Sequence, residues 1–155
     1  NFKKVISYKK PRGKIVMKNV IIYASMTGHS KKIAQAISEK LGIEAFNIKD
    51  NPKIEGYDMG IFVSGIYSGE CKMELIEFAK KLTPANIKSA LLVTSSMKEM
   101  TPEKLKEALT ANQIEVMRDE YTCKGGFLVM GISHPNKQEI DEAVDFVRNH
   151  LYQTV

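Results

Sequence analysis

The chain has 155 residues, of which 43% are hydrophobic and 26% charged, a composition typical of a globular protein large enough to bury its own core. No apolar run approaches the ~18 residues that cross a bilayer, and two cysteines, Cys71 and Cys123, are too few for a disulfide framework. These features argue against a membrane protein and favour a reducing, cytoplasmic location.

The formal net charge of +5 is unevenly distributed along the chain. Six of the 23 basic residues and none of the 18 acidic ones lie within residues 1–17. The remainder is close to neutral, so the sequence does not support a nucleic-acid partner. We expect residues 1–16 to be a basic leader outside the fold, either a mis-assigned start or a remnant of cloning; a solvated basic arm is the alternative. Residues 17–155 are then predicted to form a single domain.

Continuous apolar runs alternate with amphipathic segments from residue 17 onward. The runs are typical of strands buried on both faces, and the amphipathic segments repeat their apolar residues with the period of a helix. Strands are predicted at residues 20–24, 43–48, 59–63, 90–93 and 114–122. Helices are predicted at residues 31–41, 72–82, 101–112 and 136–151.

Residues that start or stop helices support several of these boundaries. Gly42 is placed to end the first helix. Thr101 followed by Pro102 predicts an N-cap and first turn for the third helix. Asn136, with Glu139 three residues later, resembles a capping box for the last helix.

This alternation of strands and helices implies an α/β fold with a parallel sheet, right-handed crossovers and helices on both faces. The fifth strand contains more polar residues than the others, so we expect it at an edge of the sheet. Ligands of such folds bind beyond the carboxyl ends of the strands, where the strand order reverses. The loops after the first, third and fourth strands are therefore the candidate binding loops.

The loop after the first strand combines hydroxyl groups and backbone donors, contains no acid and leads directly into a helix. Its residues are Ser25, Met26, Thr27, Gly28, His29 and Ser30. Such a loop binds phosphate through backbone N–H groups, aided by the positive end of the helix. An ordinary N-cap loop is the alternative. Two other nucleotide-binding loops are excluded, because the chain has neither Gly-x-Gly-x-x-Gly nor Gly-Lys-Ser/Thr.

Residues 21–34 resemble the flavodoxin phosphate-binding signature, which runs from two aliphatic residues and an aromatic one, through Ser or Thr and a small residue, to Thr and Ala. Only Ser30 departs from it, and Ser30 keeps the hydroxyl. The order of elements over most of residues 18–150 is similar to that of short-chain flavodoxins. The resemblance implies a three-layer, doubly wound, five-stranded parallel sheet with strand order 2-1-3-4-5. It also implies one FMN, whose phosphate binds at residues 25–30.

The resemblance implies that the loop after the third strand lies over one face of the isoalloxazine ring. The candidate residues of this loop are Ser64, Gly65, Ile66, Tyr67, Ser68 and Gly69. Tyr67 would stack on the flavin, since aromatic rings favour offset stacking. A half-exposed loop tyrosine without contact to a cofactor is the alternative.

By the same resemblance, Ser95, Ser96 and Met97, after the fourth strand, approach the other flavin face. Many flavodoxins have an aromatic residue in this loop, and this chain has none. Met97 or Met100 would replace it through sulfur–ring contacts. Ordinary core or rim methionines are the alternative.

Acids and thiols near these loops have two interpretations each. Glu70, Glu74 and Glu99 would lie near the flavin rim and disfavour a reduced, anionic flavin, or they are simply solvated. Cys71 is predicted at the start of a helix, where the dipole lowers a thiol pKa. Inert thiols are nevertheless the favoured interpretation of Cys71 and Cys123, because no Cys-x-x-Cys spacing exists. Three scattered histidines predict no metal site.

The function that follows is non-enzymatic electron transfer between a reductase and an acceptor protein, with no catalytic side chain and with a monomer or weak dimer as the unit. The alternative is an FMN-dependent oxidoreductase acting on NAD(P)H, a quinone or a protoporphyrinogen, and the short loops favour the carrier. A receiver domain is disfavoured, because Ser25 and Ser64 stand where that fold requires acids. No nucleic-acid or membrane partner is expected.

Overall fold

The computed structural model of the chain describes residues 17–25, 28–66, 70–96, 101–124 and 136–151, with residues 96, 123 and 124 described by their backbone only. The predicted leader, residues 1–16, lies outside the described residues. The described elements are β1 (Asn19–Tyr23), α1 (His29–Leu41), β2 (Glu44–Asn47), β3 (Tyr57–Gly65), α2 (Met73–Lys80), β4 (Ile87–Ser96), α3 (Glu103–Ala111), β5 (Glu115–Lys124) and α4 (Lys137–Leu151). A 3₁₀ turn, Ile48–Asp50, follows β2.

The five strands form one parallel sheet in the order β2-β1-β3-β4-β5, which confirms the predicted topology. The order reverses at β1, since the chain moves outward to β2 and then returns to the other side of β1 as β3. The polar fifth strand lies at an edge, also as predicted. The sheet is of the flavodoxin type, with its first switch point between β1 and β3.

Helices cover both faces of the sheet and bury two separate apolar clusters. One cluster joins the sheet to α2 and α3, and Ile22 and Phe62 are among its members. The other joins the sheet to α1 and α4, and it includes Ile21 and Ile61. Neighbouring residues of a strand, such as Ile21 and Ile22, point to opposite faces of the sheet. Because both faces are covered, both residues must be apolar. This explains why the central strands are continuous apolar runs.

Two predicted helix boundaries are confirmed by their hydrogen bonds. Gly42 ends α1 in the left-handed region at φ 68°, and its amide donates to the Ser38 carbonyl at 2.9 Å. At α4, the Glu139 amide donates to Asn136 Oδ1 and the Asn136 amide donates to Glu139 Oε1, both at 2.8 Å. These reciprocal bonds are those of a capping box.

The predicted N-cap of α3 is wrong. The helix begins at Glu103, and Pro102 occupies the cap position without a side-chain hydrogen bond. The Thr101 hydroxyl donates instead to Glu120 Oε2 on β5, at 2.7 Å. A tertiary partner therefore replaces the local one.

Among the helices that the structure describes, none has both the length and the apolar character needed to cross a membrane.

Candidate functional site

The carboxyl ends of β1, β3 and β4 lie side by side. Beyond the last residue of β1, the Ala24 amide donates to the Val63 carbonyl of β3 at 3.2 Å. Beyond the last residue of β3, the Ile66 amide donates to the Ser95 carbonyl of β4 at 2.8 Å. The three loops selected from the sequence therefore leave the sheet from neighbouring positions at the edge where ligands of this fold bind.

The Ser25 hydroxyl connects the end of β1 to the start of α1. Its oxygen accepts from the Gly28 amide at 3.0 Å and from the Lys31 amide at 3.4 Å. Gly28 has φ 96°, a left-handed conformation that favours glycine, although an added Cβ would meet no atom within 4 Å. The backbone conformation, and not lack of space, therefore requires glycine at this position.

The helix that follows this loop has a strongly positive N-terminus. Its first turn contains no acid, whereas Lys31 and Lys32 are exposed there. His29 and Ser30 are buried at the first two helical positions, and their amides have no hydrogen-bond partner among the described residues. Lysines at this end of a helix are unfavourable in isolation. A bound anion would offset that cost and satisfy the unpaired amides, so the residues fit a phosphate group.

The side chains at the start of the second loop are buried in the protein interior. Ser64 is buried, and its hydroxyl donates to the Gly65 carbonyl at 3.0 Å. Ile66 is also buried, within the cluster between the sheet and α2. These residues therefore leave mainly their backbone for contact with a ligand. The predicted contacts of Tyr67, Ser68 and Gly69 lie outside the described residues.

The third loop is described only at its start. Ser95 is buried at the end of β4, beside Gly65 of β3 in the strand register. The backbone of Ser96 continues the pairing with β5. The other residues predicted for the three loops lie outside the described part of the chain. They are Met26, Thr27, Met97, Glu99 and Met100.

Cys71 is a buried free thiol that precedes α2. Burial raises its pKa to about 12; a hydrogen bond with Ser64 acts in the opposite direction, and the charges of Glu70 and Glu120 raise the pKa further. The alternative interpretation, a thiol pKa lowered by the helix dipole, is therefore wrong. An inert thiol, the favoured interpretation, agrees with these surroundings.

Glu70 connects the second loop to the start of α3. Its Oε1 accepts from the Lys104 amide at 3.0 Å, and its Oε2 accepts from the Leu105 amide at 3.3 Å. The carboxylate thus caps a helix whose own cap position is occupied by Pro102. The sequence did not indicate this contact, because Glu70 lies 34 residues before Lys104.

Glu120 makes a second connection, between β5 and the segment that leads into α3. It accepts from the Thr101 hydroxyl and forms an ion pair with Lys106, whose Nζ lies 2.9 Å from Oε2. Both side chains of the ion pair are mostly buried, with 27% exposure for Lys106 and 20% for Glu120. The second loop ends at Glu70, which contacts α3 directly. The third loop ends at Thr101, which contacts α3 through Glu120.

No group of three or more His, Cys, Asp or Glu side chains that could hold a metal ion occurs within the described ranges.

The sequence has relatives that match most of its length. Residues 20–131 match the family model described as flavodoxin domain. An uncharacterized protein of Methanocaldococcus jannaschii is 31% identical over 150 residues, which cover 87% of this chain and 99% of the relative.

Solved structures share the fold at much lower identity. A NAD(P)H:quinone oxidoreductase from Methanothermobacter marburgensis superposes with a TM-score of 0.58 at 13% identity, covering 87% of this chain and 96% of its own. A short-chain flavodoxin associated with a non-canonical PDU bacterial microcompartment gives 0.58 at 12% identity, covering 90% and 100%. A flavoprotein of Lactobacillus acidophilus NCFM in complex with FMN gives 0.50 at 13% identity, covering 75% and 99%.

Proposed function

Since this chain belongs to the flavodoxin-domain family, we propose that it binds one FMN non-covalently and transfers electrons between redox partner proteins. The partners are expected to be a reductase and an acceptor protein, and the expected location is the cytoplasm. Members of one fold family differ in activity, so the proposal must rest on the site itself.

The observation that carries the proposal is the N-terminus of α1. Gly28 is left-handed, the amides of His29 and Ser30 have no partner among the described residues, and the first turn has two lysines and no acid. Together these features would suit a dianionic group. Backbone N–H groups and the helix dipole bind phosphate in this arrangement. The FMN phosphate has the matching charge, and the likeness to a flavoprotein in complex with FMN supports this choice of cofactor.

The protein residues would bind, orient and shield the flavin. The amides of His29 and Ser30 would hold the phosphate. Residues 64–69 and 95–97 would border the ring, with Tyr67 and Met97 on opposite faces. FMN supplies the capacity to accept and donate electrons. No side chain is required as an acid or base, and the described site residues include no free carboxylate.

A second candidate function is an FMN-dependent oxidoreductase that uses NAD(P)H with a quinone or a protoporphyrinogen. The likeness to a NAD(P)H:quinone oxidoreductase favours it. Against it stands the length of the binding loops. Only residues 24–28 separate β1 from α1, and residues 66–72 separate β3 from α2. Such short loops supply little wall for a substrate pocket.

The phosphate site is tested by two substitutions at one position. Gly28→Ala and Gly28→Glu impose the same backbone strain, about 1–2 kcal/mol, but only glutamate adds a negative charge. We expect Gly28→Ala to retain FMN with weakened affinity and Gly28→Glu to lose it, as measured by quenching of flavin fluorescence. Equal FMN affinity in both variants would place the phosphate elsewhere.

An anaerobic dithionite titration of the FMN-loaded protein separates the carrier from the oxidoreductase. Two distinct one-electron steps in the absorbance spectrum are expected of the carrier. A single two-electron step, together with NAD(P)H oxidation when a quinone is added, would favour the oxidoreductase. Failure of the wild-type protein to bind added FMN would refute both.

A further inference from the structure

A second concave site lies beside the phosphate loop, on the opposite side of β1 from α1. It is a cleft of ≈ 600 Å³ between the carboxyl end of β1, the 3₁₀ turn after β2, and α2. This volume is within the range of small-molecule sites, roughly 300–1,000 Å³. We name it the α2 cleft. Its lining includes Ala24, Ile48, Lys49, Met73, Phe78 and Lys81.

The α2 cleft exists because the crossover from β2 to β3 is short. Only residues 48–56 connect these two parallel strands across β1, and they form a 3₁₀ turn followed by irregular chain. A parallel crossover usually has a dozen or more residues and contains an α-helix. On this face of the sheet a helix is therefore replaced by a thin segment, and space remains between that segment and α2.

The apolar part of the lining is mostly shielded from solvent. Ala24 is buried, and Ile48 and Phe78 are half-buried. Met73 is 57% exposed, and it is one of two large hydrophobic residues that are exposed in the described part of the chain. A flexible thioether at the mouth of an apolar cleft adapts to ligands of different shape.

The charged part of the lining carries an excess of positive charge. Lys49 and Lys81 are exposed, and neither forms an ion pair with any residue that the structure describes. Lys72 is 3.9 Å from Glu74. The other lining acid, Glu77, is already paired with Lys80 at 3.2 Å. The acids are thus compensated within α2, whereas two ammonium groups are available to a ligand.

From this combination we propose that the α2 cleft binds a small organic anion with an apolar, preferably aromatic, body. The body would lie against Ile48 and Phe78 under Met73, and its carboxylate, sulfonate or phosphate would be held by Lys49 and Lys81. Among the described lining residues only Ser25 belongs to the phosphate loop, so the site is separate from the one proposed for FMN. The proposal does not depend on FMN binding.

Three probes test the apolar contact and the charge contact separately. Each is titrated into the FMN-saturated full chain, and its binding is measured from amide chemical shifts in NMR spectra. They are 2-naphthoate, the uncharged 2-naphthalenemethanol, and acetate. We expect 2-naphthoate to bind with a dissociation constant of about 1 mM, with shifts at residues 47–51 and 72–81. The alcohol and acetate are expected to bind at least about tenfold more weakly, because each lacks one half of the interaction.

Two matched double variants localise the charge. Lys49→Gln with Lys81→Gln is expected to weaken 2-naphthoate binding about tenfold, since two surface charges are removed. Lys88→Gln with Lys137→Gln, which lie outside the cleft, should leave it unchanged. Both pairs are on the surface, so folding is not at stake.

The proposal is overturned if both double variants bind alike, if the alcohol binds as tightly as the anion, or if shifts appear only at residues 28–32. The last result would mean that the probe occupies the phosphate loop. Loss of FMN binding by the wild type would refute the proposed cofactor and leave this test intact, since the same titration is then run without FMN.

Discussion

Removal of the Glu70 carboxylate should destabilise the protein through α3. The carboxylate accepts two amides of the first turn, from Lys104 and Leu105, and no side chain within α3 replaces it at the cap position. Loss of a helix cap costs typically about 1 kcal/mol, and loss of a negative charge at a helix N-terminus adds about 0.3–1 kcal/mol. We therefore expect Glu70→Ala to lower the free energy of unfolding by about 1.5 kcal/mol.

Urea unfolding followed by circular dichroism measures this change, and a lowering of Tm by about 3–6 °C should accompany it. Glu70→Gln keeps one acceptor oxygen and should lose about half as much. Glu74→Ala is the matched control. Glu74 is an exposed acid in the first turn of α2, 3.9 Å from Lys72, so its removal should cost only its charge interactions, less than about 1 kcal/mol. Equal effects of Glu70→Ala and Glu74→Ala would refute the role of Glu70 as the cap.

Two further predictions concern buried positions, Gly60 in β3 and Cys71 before α2. A Cβ added at Gly60 would lie 3.0 Å from Cδ1 and 3.3 Å from Cγ2 of Ile87, so Gly60→Ala should cost about 1–3 kcal/mol in urea unfolding. Ile87→Val removes the closer of these atoms and should recover part of that loss in the double variant, whereas strictly additive losses would contradict this explanation. Burial raises the pKa of Cys71 to about 12, so its stabilising contribution is complete below the pKa of the unfolded thiol and declines as the pH rises from about 8.5 towards 12. In a Cys123→Ser background, the stability difference between Cys71 and Cys71→Ala should be constant up to about pH 8.5 and then change by at most about 1.4 kcal/mol per pH unit; a pH-independent difference would show that the thiol titrates alike in both states.

The sheet could be predicted from the sequence because each central strand is buried on both faces. That condition leaves a continuous apolar run, such as residues 20–24, which differs from the period of the helices. The ends of the strands were harder to predict. β3 and β4 extend to Gly65 and Ser96, beyond the predicted residues 63 and 93. Pairing continues through polar Ser64 and Thr94 because parallel neighbours supply backbone partners whatever the side chains are.

Contacts between residues close in sequence could be predicted, both at the helix ends and near the candidate site, whereas contacts between distant residues could not. The capping box at Asn136 lies within four residues, and its spacing alone indicates it. Thr101 has the same local signature of a helix start, yet its hydroxyl contacts Glu120, 19 residues away. A carboxylate acceptor is stronger than a neutral one, so the tertiary contact competes successfully with the local cap. No spacing within the sequence carries that information.

The contacts of Glu70 and Glu120 also reduce the electrostatic effect of these two carboxylates near the binding loops. An isolated carboxylate at the rim of a flavin would oppose its reduction. The charge of Glu70, however, lies against the positive end of α3, and the charge of Glu120 lies 2.9 Å from the Lys106 ammonium. Partial compensation of both charges makes their net effect on a bound flavin smaller than that of free acids at the same positions. Glu70 and Glu120 therefore act first as connections between loops and helix, and Glu70 would oppose the reduction of a bound flavin less than a free acid at its position.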